Sequence, residues 1–199
     1  MSKFLATGCS FTFFKWRTWA DYIAEDFDNS LNKGIPGADN PTIARITVAM
    51  AEPGDTVCVM WSSYQRHNYK INFESTYNYS RAHWGVTNLQ DKYYTVNIFN
   101  HYERFLTTLD YIEFVNADSI NRKYKVIHLS AFPLLGGEIN TPISSDMQSK
   151  LKEKQYFVDL VNKNDLFTFN QPYYIPGEDP HPTEFVHQKF ADAVVKKLL

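Results

Sequence analysis

A serine near one end of the chain and a histidine beside two carboxylates near the other are the residues with which covalent chemistry could be built. Ser10 follows Gly8 and Cys9 at the end of the apolar run Phe4-Leu5-Ala6. His181 stands between Pro180 and Pro182, directly after Glu178-Asp179. In nucleophilic catalysis a histidine takes the serine proton while a carboxylate orients and stabilises the imidazole. If the apolar run is a strand, Ser10 sits where that strand breaks at a sheet edge, a position that can lift a hydroxyl out of the backbone. The two stretches are distant in sequence, so the elements between them must carry both to one rim.

Bulk composition narrows the classes. The chain has 199 residues, and one domain spanning 1–199 with a substantial core is the expectation at that length. Hydrophobic residues make up 44% and charged residues 21%, ordinary values for a soluble globular protein. The formal charge of −2 argues against broad binding to nucleic-acid phosphates. Cys9 and Cys58 are too few for a disulfide framework and read as buried thiols. No apolar run approaches the roughly 20 residues of a membrane span and no signal segment is recognisable, so a cytoplasmic setting is expected. His67, His83, His101, His128 and His187 lack metal-ligand spacing, and neither metal nor cofactor is expected.

Hydrophobic periodicity then places the elements. Residues 3–7 read as a buried strand and 19–27 as a helix with Trp19, Tyr22, Ile23 and Phe27 on one side. Between them, 11–17 is aromatic and irregular, a segment placed to cover whatever Ser10 opens onto. A short strand over 30–32 precedes the loop Lys33-Gly34-Ile35-Pro36-Gly37-Ala38-Asp39-Asn40-Pro41. Ile43, Ile46, Thr47 and Met50 mark the next helix face. Thr56-Val57-Cys58-Val59-Met60-Trp61 is the clearest strand, continuous in the manner of strands buried on both faces. This alternation predicts a parallel sheet covered by helices on both sides, with ligands outside the carboxyl ends of the strands. Ser10, the Gly34–Gly37 loop and Ser62-Ser63 all fall at those ends.

From 64 to 100 the pattern dissolves into Tyr, Phe, Trp and His among Asn, Ser and Arg, which reads as an aromatic-rich insertion over that edge. Helical periodicity resumes over 101–115, a fourth strand follows at 125–129, and a helix is expected over 148–161. Residues 166–169 read as a weak fifth strand. A final helix begins after Pro182, with Thr183 as its N-cap.

Three blocks in this order resemble the SGNH/GDSL hydrolases. Gly8-Cys9-Ser10 after the first strand is similar to the family's Gly-Asp-Ser. Asn32-x-Gly34-x-x-Gly37 resembles its second block, and Asp179-Pro180-His181-Pro182 its last, with His187 fitting the same block. The resemblance spans the chain, although few residues carry it. It implies a three-layer α/β/α sandwich of flavodoxin-like type around a five-stranded parallel sheet, and a serine ester hydrolase acting through an acyl-enzyme. Ser10 would be the nucleophile, His181 the general base and then acid, and Asp179 the triad acid, with Glu178 as its alternative. Oxyanion donors would come from Ser10, Gly37 and Ser63. Trp61 and Arg66 would contact a small ester substrate, an O-acetylated sugar being one such candidate, without nucleic acid or membrane as partner. Two departures stand out. Cys9 replaces the Asp of the first block, and Trp61-Ser62-Ser63-Tyr64-Gln65-Arg66-His67-Asn68 holds no aligned counterpart of the Asn that usually completes the oxyanion hole, Ser63 and Asn68 being the available substitutes. They motivate an alternative: a binding or structural protein on the same scaffold with impaired catalysis. A third reading gives the Tyr- and Arg-bearing insertion a nucleic acid or protein partner.

Overall fold

The structure is a computed structural model that describes residues 3–64, 66–70, 79–82, 101–132, 153, 165–173 and 181–199. The chain runs through strand β1 (Phe4–Gly8), helix α1 (Trp19–Ala24), β2 (Ser30–Gly34), α2 (Asn40–Met50) and β3 (Thr56–Trp61). Then come β4 (His67–Lys70), β5 (Tyr79–Ala82), α3 (His101–Arg122), β6 (Lys125–Ser130), α4 (Leu166–Asn170) and α5 (Glu184–Ala193). The main sheet has the order β2-β1-β3-β6, and every pairing in it is parallel.

Its strands are apolar on both faces because both faces are covered. Phe4, Ala6, Cys58, Met60, Ile127 and Leu129 point into one cluster, joined by Trp19 and Ile23 of α1 and by Val186 and Phe190 of α5. Their alternate neighbours Leu5, Val57, Val59 and Trp61 enter a second cluster with Ile43 of α2 and Phe105, Leu109 and Ile112 of α3. This period-two division of continuous apolar strands is what a three-layer α/β/α arrangement requires. The two clusters are closed at the helix ends. Arg122 at the end of α3 donates to the carbonyls of Val48 and Ala51, answering the orphan acceptors at the end of α2. Asp39 caps the start of α2 by accepting from the Thr42 N–H at 3.1 Å, and Pro41 stands where a missing N–H costs nothing.

The expected fifth strand at 166–169 is instead a helix, so the described parallel sheet has four strands. The run Leu-Phe-Thr-Phe is apolar enough for either state, and the capping residue decides. Asp165 accepts from the Thr168 N–H and starts α4, leaving only a single parallel bridge from Asp165 to Ser130 where a fifth strand would have begun. Within 64–100, β4 and β5 form an antiparallel pair with His67 opposite Ala82. The rest of the expected insertion and most of the helix expected over 148–161 lie outside the described residues. Thr183 is the N-cap of α5, as its place after Pro182 predicted.

Candidate functional site

Gly8 ends β1 on its last rung, paired with Gly34 of β2 on one side and Met60 of β3 on the other. Both glycines are demanded by space. A Cβ on Gly8 would stand 2.1 Å from the Thr12 hydroxyl and 2.9 Å from the Met60 carbonyl oxygen, and one on Gly34 would stand 2.8 Å from the Phe13 nitrogen. With no side chains there, the chain after β1 folds tightly over the sheet end. The N–H groups of Thr12 and Phe13 both bond the Cys9 carbonyl, at 2.9 and 3.2 Å. Cys9 turns its side chain into the core, and Ser10 occupies the crest.

That crest is tied down from two elements. The Thr12 carbonyl accepts from the Thr18 hydroxyl at 2.6 Å and from the Asn32 side-chain amide at 2.9 Å. Asn32 also accepts from the Gly34 N–H at 3.0 Å. The Asn32-x-Gly34 spacing therefore has a physical meaning: one residue clasps the serine turn and the other leaves it room. Ile35 continues the clasp by donating its N–H to the Gly8 carbonyl at 2.9 Å. Ile35-Pro36-Gly37-Ala38 is a turn closed by the Ala38 N–H on the Ile35 carbonyl, with Gly37 at φ 78°, the left-handed conformation that favours glycine.

His181 arrives from the other end of the chain, just before α5. Its Nε2 lies 2.8 Å from the Ser10 Oγ. The imidazole is held by rings: Phe14 stacks on it at 4.2 Å with an interplanar angle of 17°, and Phe11 meets it edge-on at 5.3 Å. The Trp16 indole donates to the Pro182 carbonyl at 3.1 Å and so anchors the peptide next to the histidine. The aromatic segment 11–17 thus seats the histidine on the serine. Ser10 is buried to 6% exposure, while His181 is part-exposed beside it.

Other site residues expected from sequence have the following places. Asp179 and Glu178 lie outside the described residues. Ser63 follows the end of β3 at the same rim as Ser10, and Gly37 lies in the turn after β2. Trp61 is fully buried in the cluster under α2 and α3, where its indole donates to His128 Nδ1 at 3.0 Å. A strand covered on both faces has no free side for that ring to offer a ligand. Arg66 is half-buried and donates its backbone N–H to the Ser63 carbonyl at 3.1 Å.

One residue that sequence reasoning did not single out organises the rim. Asn40 accepts from the Ser62 N–H at 2.8 Å and donates to the Ser62 carbonyl and to the Thr108 hydroxyl, each at 3.1 Å. It fixes the backbone just ahead of Ser63 although it stands at the first position of α2. His187, on α5, is 1% exposed, and burial pushes its pKa down to about 3; Asp21 opposes that shift and His181 adds to it. Only the adjacency of Asp39-Asn40-Pro41 to a predicted helix start marked Asn40, and nothing in sequence shows partners so distant along the chain. A cavity of about 340 Å³ lies beyond β2, lined by Phe13, Ile35, Ile46 and Met50 among others, and its lining includes neither Ser10 nor His181. Among the described residues no His, Cys, Asp and Glu group could hold a metal ion, and no helix is long and apolar enough to cross a membrane.

No protein-family model and no curated protein sequence matches the chain. Solved structures do. Bacillus subtilis YxiM superposes with a TM-score of 0.52 at 13% identity, covering 99% of this chain. The superposition spans 56% of the YxiM chain, so this chain corresponds to little more than half of that protein. A Bacteroides fragilis protein inferred to be an acylhydrolase superposes with a TM-score of 0.51 at 14% identity, covering 99% of this chain and 88% of its own. The likeness is one of fold, a parallel sheet covered by helices on both faces, the α/β/α class expected from sequence.

Proposed function

We propose that the protein is a serine ester hydrolase. The observation that carries this reading is the 2.8 Å approach of His181 Nε2 to Ser10 Oγ, a nucleophile and a base within hydrogen-bond reach at the carboxyl edge of a parallel sheet. The fold shared with a protein inferred to be an acylhydrolase supports it.

In the proposed mechanism Ser10 Oγ attacks the ester carbonyl carbon while His181 Nε2 takes its proton. Negative charge gathers on the former carbonyl oxygen and is met by the backbone N–H groups of Ser10 and Gly37, with Ser63 in the place of the third donor. Each well-placed donor is worth about 3–4 kcal/mol in the transition state. The imidazolium returns its proton to the departing alcohol and leaves an acyl-serine. Water, activated by the same nitrogen, then releases the acid. Asp179, or Glu178 beside it, orients the imidazole. An O-acetylated sugar is one ester of suitable size, with Arg66 as a proposed contact.

Ser10→Ala is expected to abolish hydrolysis of 4-nitrophenyl acetate and labelling by a fluorophosphonate, with the circular dichroism spectrum unchanged. Equal turnover by wild type and variant overturns the assignment. The alternative, a binding protein on this scaffold, is favoured by the absence of an aligned Asn after β3. It predicts a wild-type protein that does not label.

A further inference from the structure

Arg66 and Arg104 come from distant parts of the chain to the neighbourhood of residues 62–64. Arg66 is fastened to the end of β3 through its N–H on the Ser63 carbonyl. Arg104 lies on α3 one helical turn before Thr108, the residue that Asn40 joins to Ser62. Next to it, Phe105 meets the Tyr64 ring edge-on at 5.7 Å. Both arginines therefore flank residues 62–64. That segment borders the Ser10 turn, because Gly8 and Met60 share the last rung between β1 and β3.

Two nitrogens of each guanidinium lack a hydrogen-bond partner among the described residues. Nε and Nη1 of Arg66 and Nε and Nη2 of Arg104 are buried without a hydrogen-bond acceptor among the described residues. A guanidinium stays ionised, carries five donors and cannot shed its charge to relieve burial. An unsatisfied buried donor costs stability, and an unpaired buried charge costs more. Asp39 is near enough to act on Arg104, yet burial outweighs it and pushes the Arg104 pKa down. The Asp39 carboxylate is also engaged in capping α2.

We propose that Arg66 and Arg104 form an oxyanion-binding subsite next to Ser10, so that the ester acted on carries a second, negatively charged group such as a carboxylate or phosphate. The inference rests on the hydrolase reading for its catalytic half and on the unsatisfied guanidinium nitrogens for its binding half. Arginine forks match carboxylate and phosphate oxygens in paired fashion, which a neutral sugar ester would leave unused.

The test separates the two halves. Binding of succinate and of inorganic phosphate is measured calorimetrically on wild type, Arg66→Gln, Arg104→Gln and the remote control Lys196→Gln, whose ammonium pairs with Asp192. At least one anion should bind wild type and the control alike, and bind either arginine variant at least about tenfold more weakly, as loss of a charge-assisted hydrogen bond requires. In parallel, kcat/KM for 4-nitrophenyl hemisuccinate is divided by that for 4-nitrophenyl acetate. Wild type should favour the hemisuccinate, and that ratio should fall about tenfold in each arginine variant. Binding of neither anion, or equal weakening by Lys196→Gln, overturns the subsite even when both esters are hydrolysed. Anion binding that follows the arginines without turnover of either ester upholds the subsite and sinks the hydrolase reading. Should Arg104→Gln fail to fold, Arg66→Gln decides alone.

Discussion

His181 is placed by neighbours that have no ionisable chemistry. The imidazole meets Ser10 at 2.8 Å because Phe14 lies flat on one face, Phe11 abuts its edge and Trp16 holds the following carbonyl. Ring contacts of this kind are worth about 0.5–1.5 kcal/mol beyond burial. Phe14→Ala should therefore lower kcat of ester hydrolysis about tenfold through a loosened base, with KM changed little, and Phe14→Tyr should restore it. A KM effect with unaltered kcat would place Phe14 against substrate instead. The residues easiest to find in sequence were those with intrinsic reactivity, Ser10 and His181, whose flanking Gly8, Pro180 and Pro182 also punctuate the backbone. The clasping residues were harder. Asn32 stood out only as part of a block, and Asn40 only by its place near a predicted helix start, since an amide takes its role from partners that the fold alone supplies. Trp61 could be read from sequence as core or as substrate contact, and the apolar strand that made β3 obvious buries that ring completely.

At the scale of elements, the serine turn depends on close approach between β1, β2 and β3. Gly8→Ala would drive a methyl against the Met60 carbonyl, which belongs to a strand paired on both edges and cannot retreat. Such overpacking costs about 1–3 kcal/mol, and the shift it forces falls on Ser10. Gly54→Ala offers the contrast. Gly54 has φ 85° but nothing within 4 Å of a Cβ there, so only the left-handed backbone is penalised, by about 1–2 kcal/mol. Urea unfolding should register both substitutions, whereas fluorophosphonate labelling should fall with Gly8→Ala and persist with Gly54→Ala. Labelling lost equally in both would mean that activity simply tracks stability. The parallel strands were legible because burial on both faces writes them as unbroken apolar runs. Residues 166–169 carried the same composition over a length too short to choose between strand and helix, and the cap at Asp165 was the overlooked signal.

Across the whole molecule, the two helical layers each enclose a histidine that is better off uncharged. His128 lies under α2 and α3 with its Nδ1 accepting from Trp61, and burial lowers its pKa to about 4. His187 lies in the α1 and α5 layer, where burial lowers its pKa to about 3. An unfolded chain takes up both protons near pH 6.5, while the native chain does not until the lower values are reached. Their neutral burial therefore costs nothing above about pH 6.5, and stability drains away as pH falls through the window down to about 4 and 3. At pH 5 each site should have removed about 2 kcal/mol, since each unit of pH inside the window is worth about 1.4 kcal/mol per proton. His128→Gln keeps an acceptor for the Trp61 indole and removes one titration. His187→Leu removes the other, and because neither ring nitrogen of His187 has a partner among the described residues, it should cost little at pH 7.5. Urea unfolding between pH 7.5 and 5 should then give a pH dependence reduced by about one proton in each single variant and by about two in the double. A wild-type slope that survives both substitutions would mean that the acid sensitivity arises elsewhere, and that these two imidazoles are not buried in neutral form.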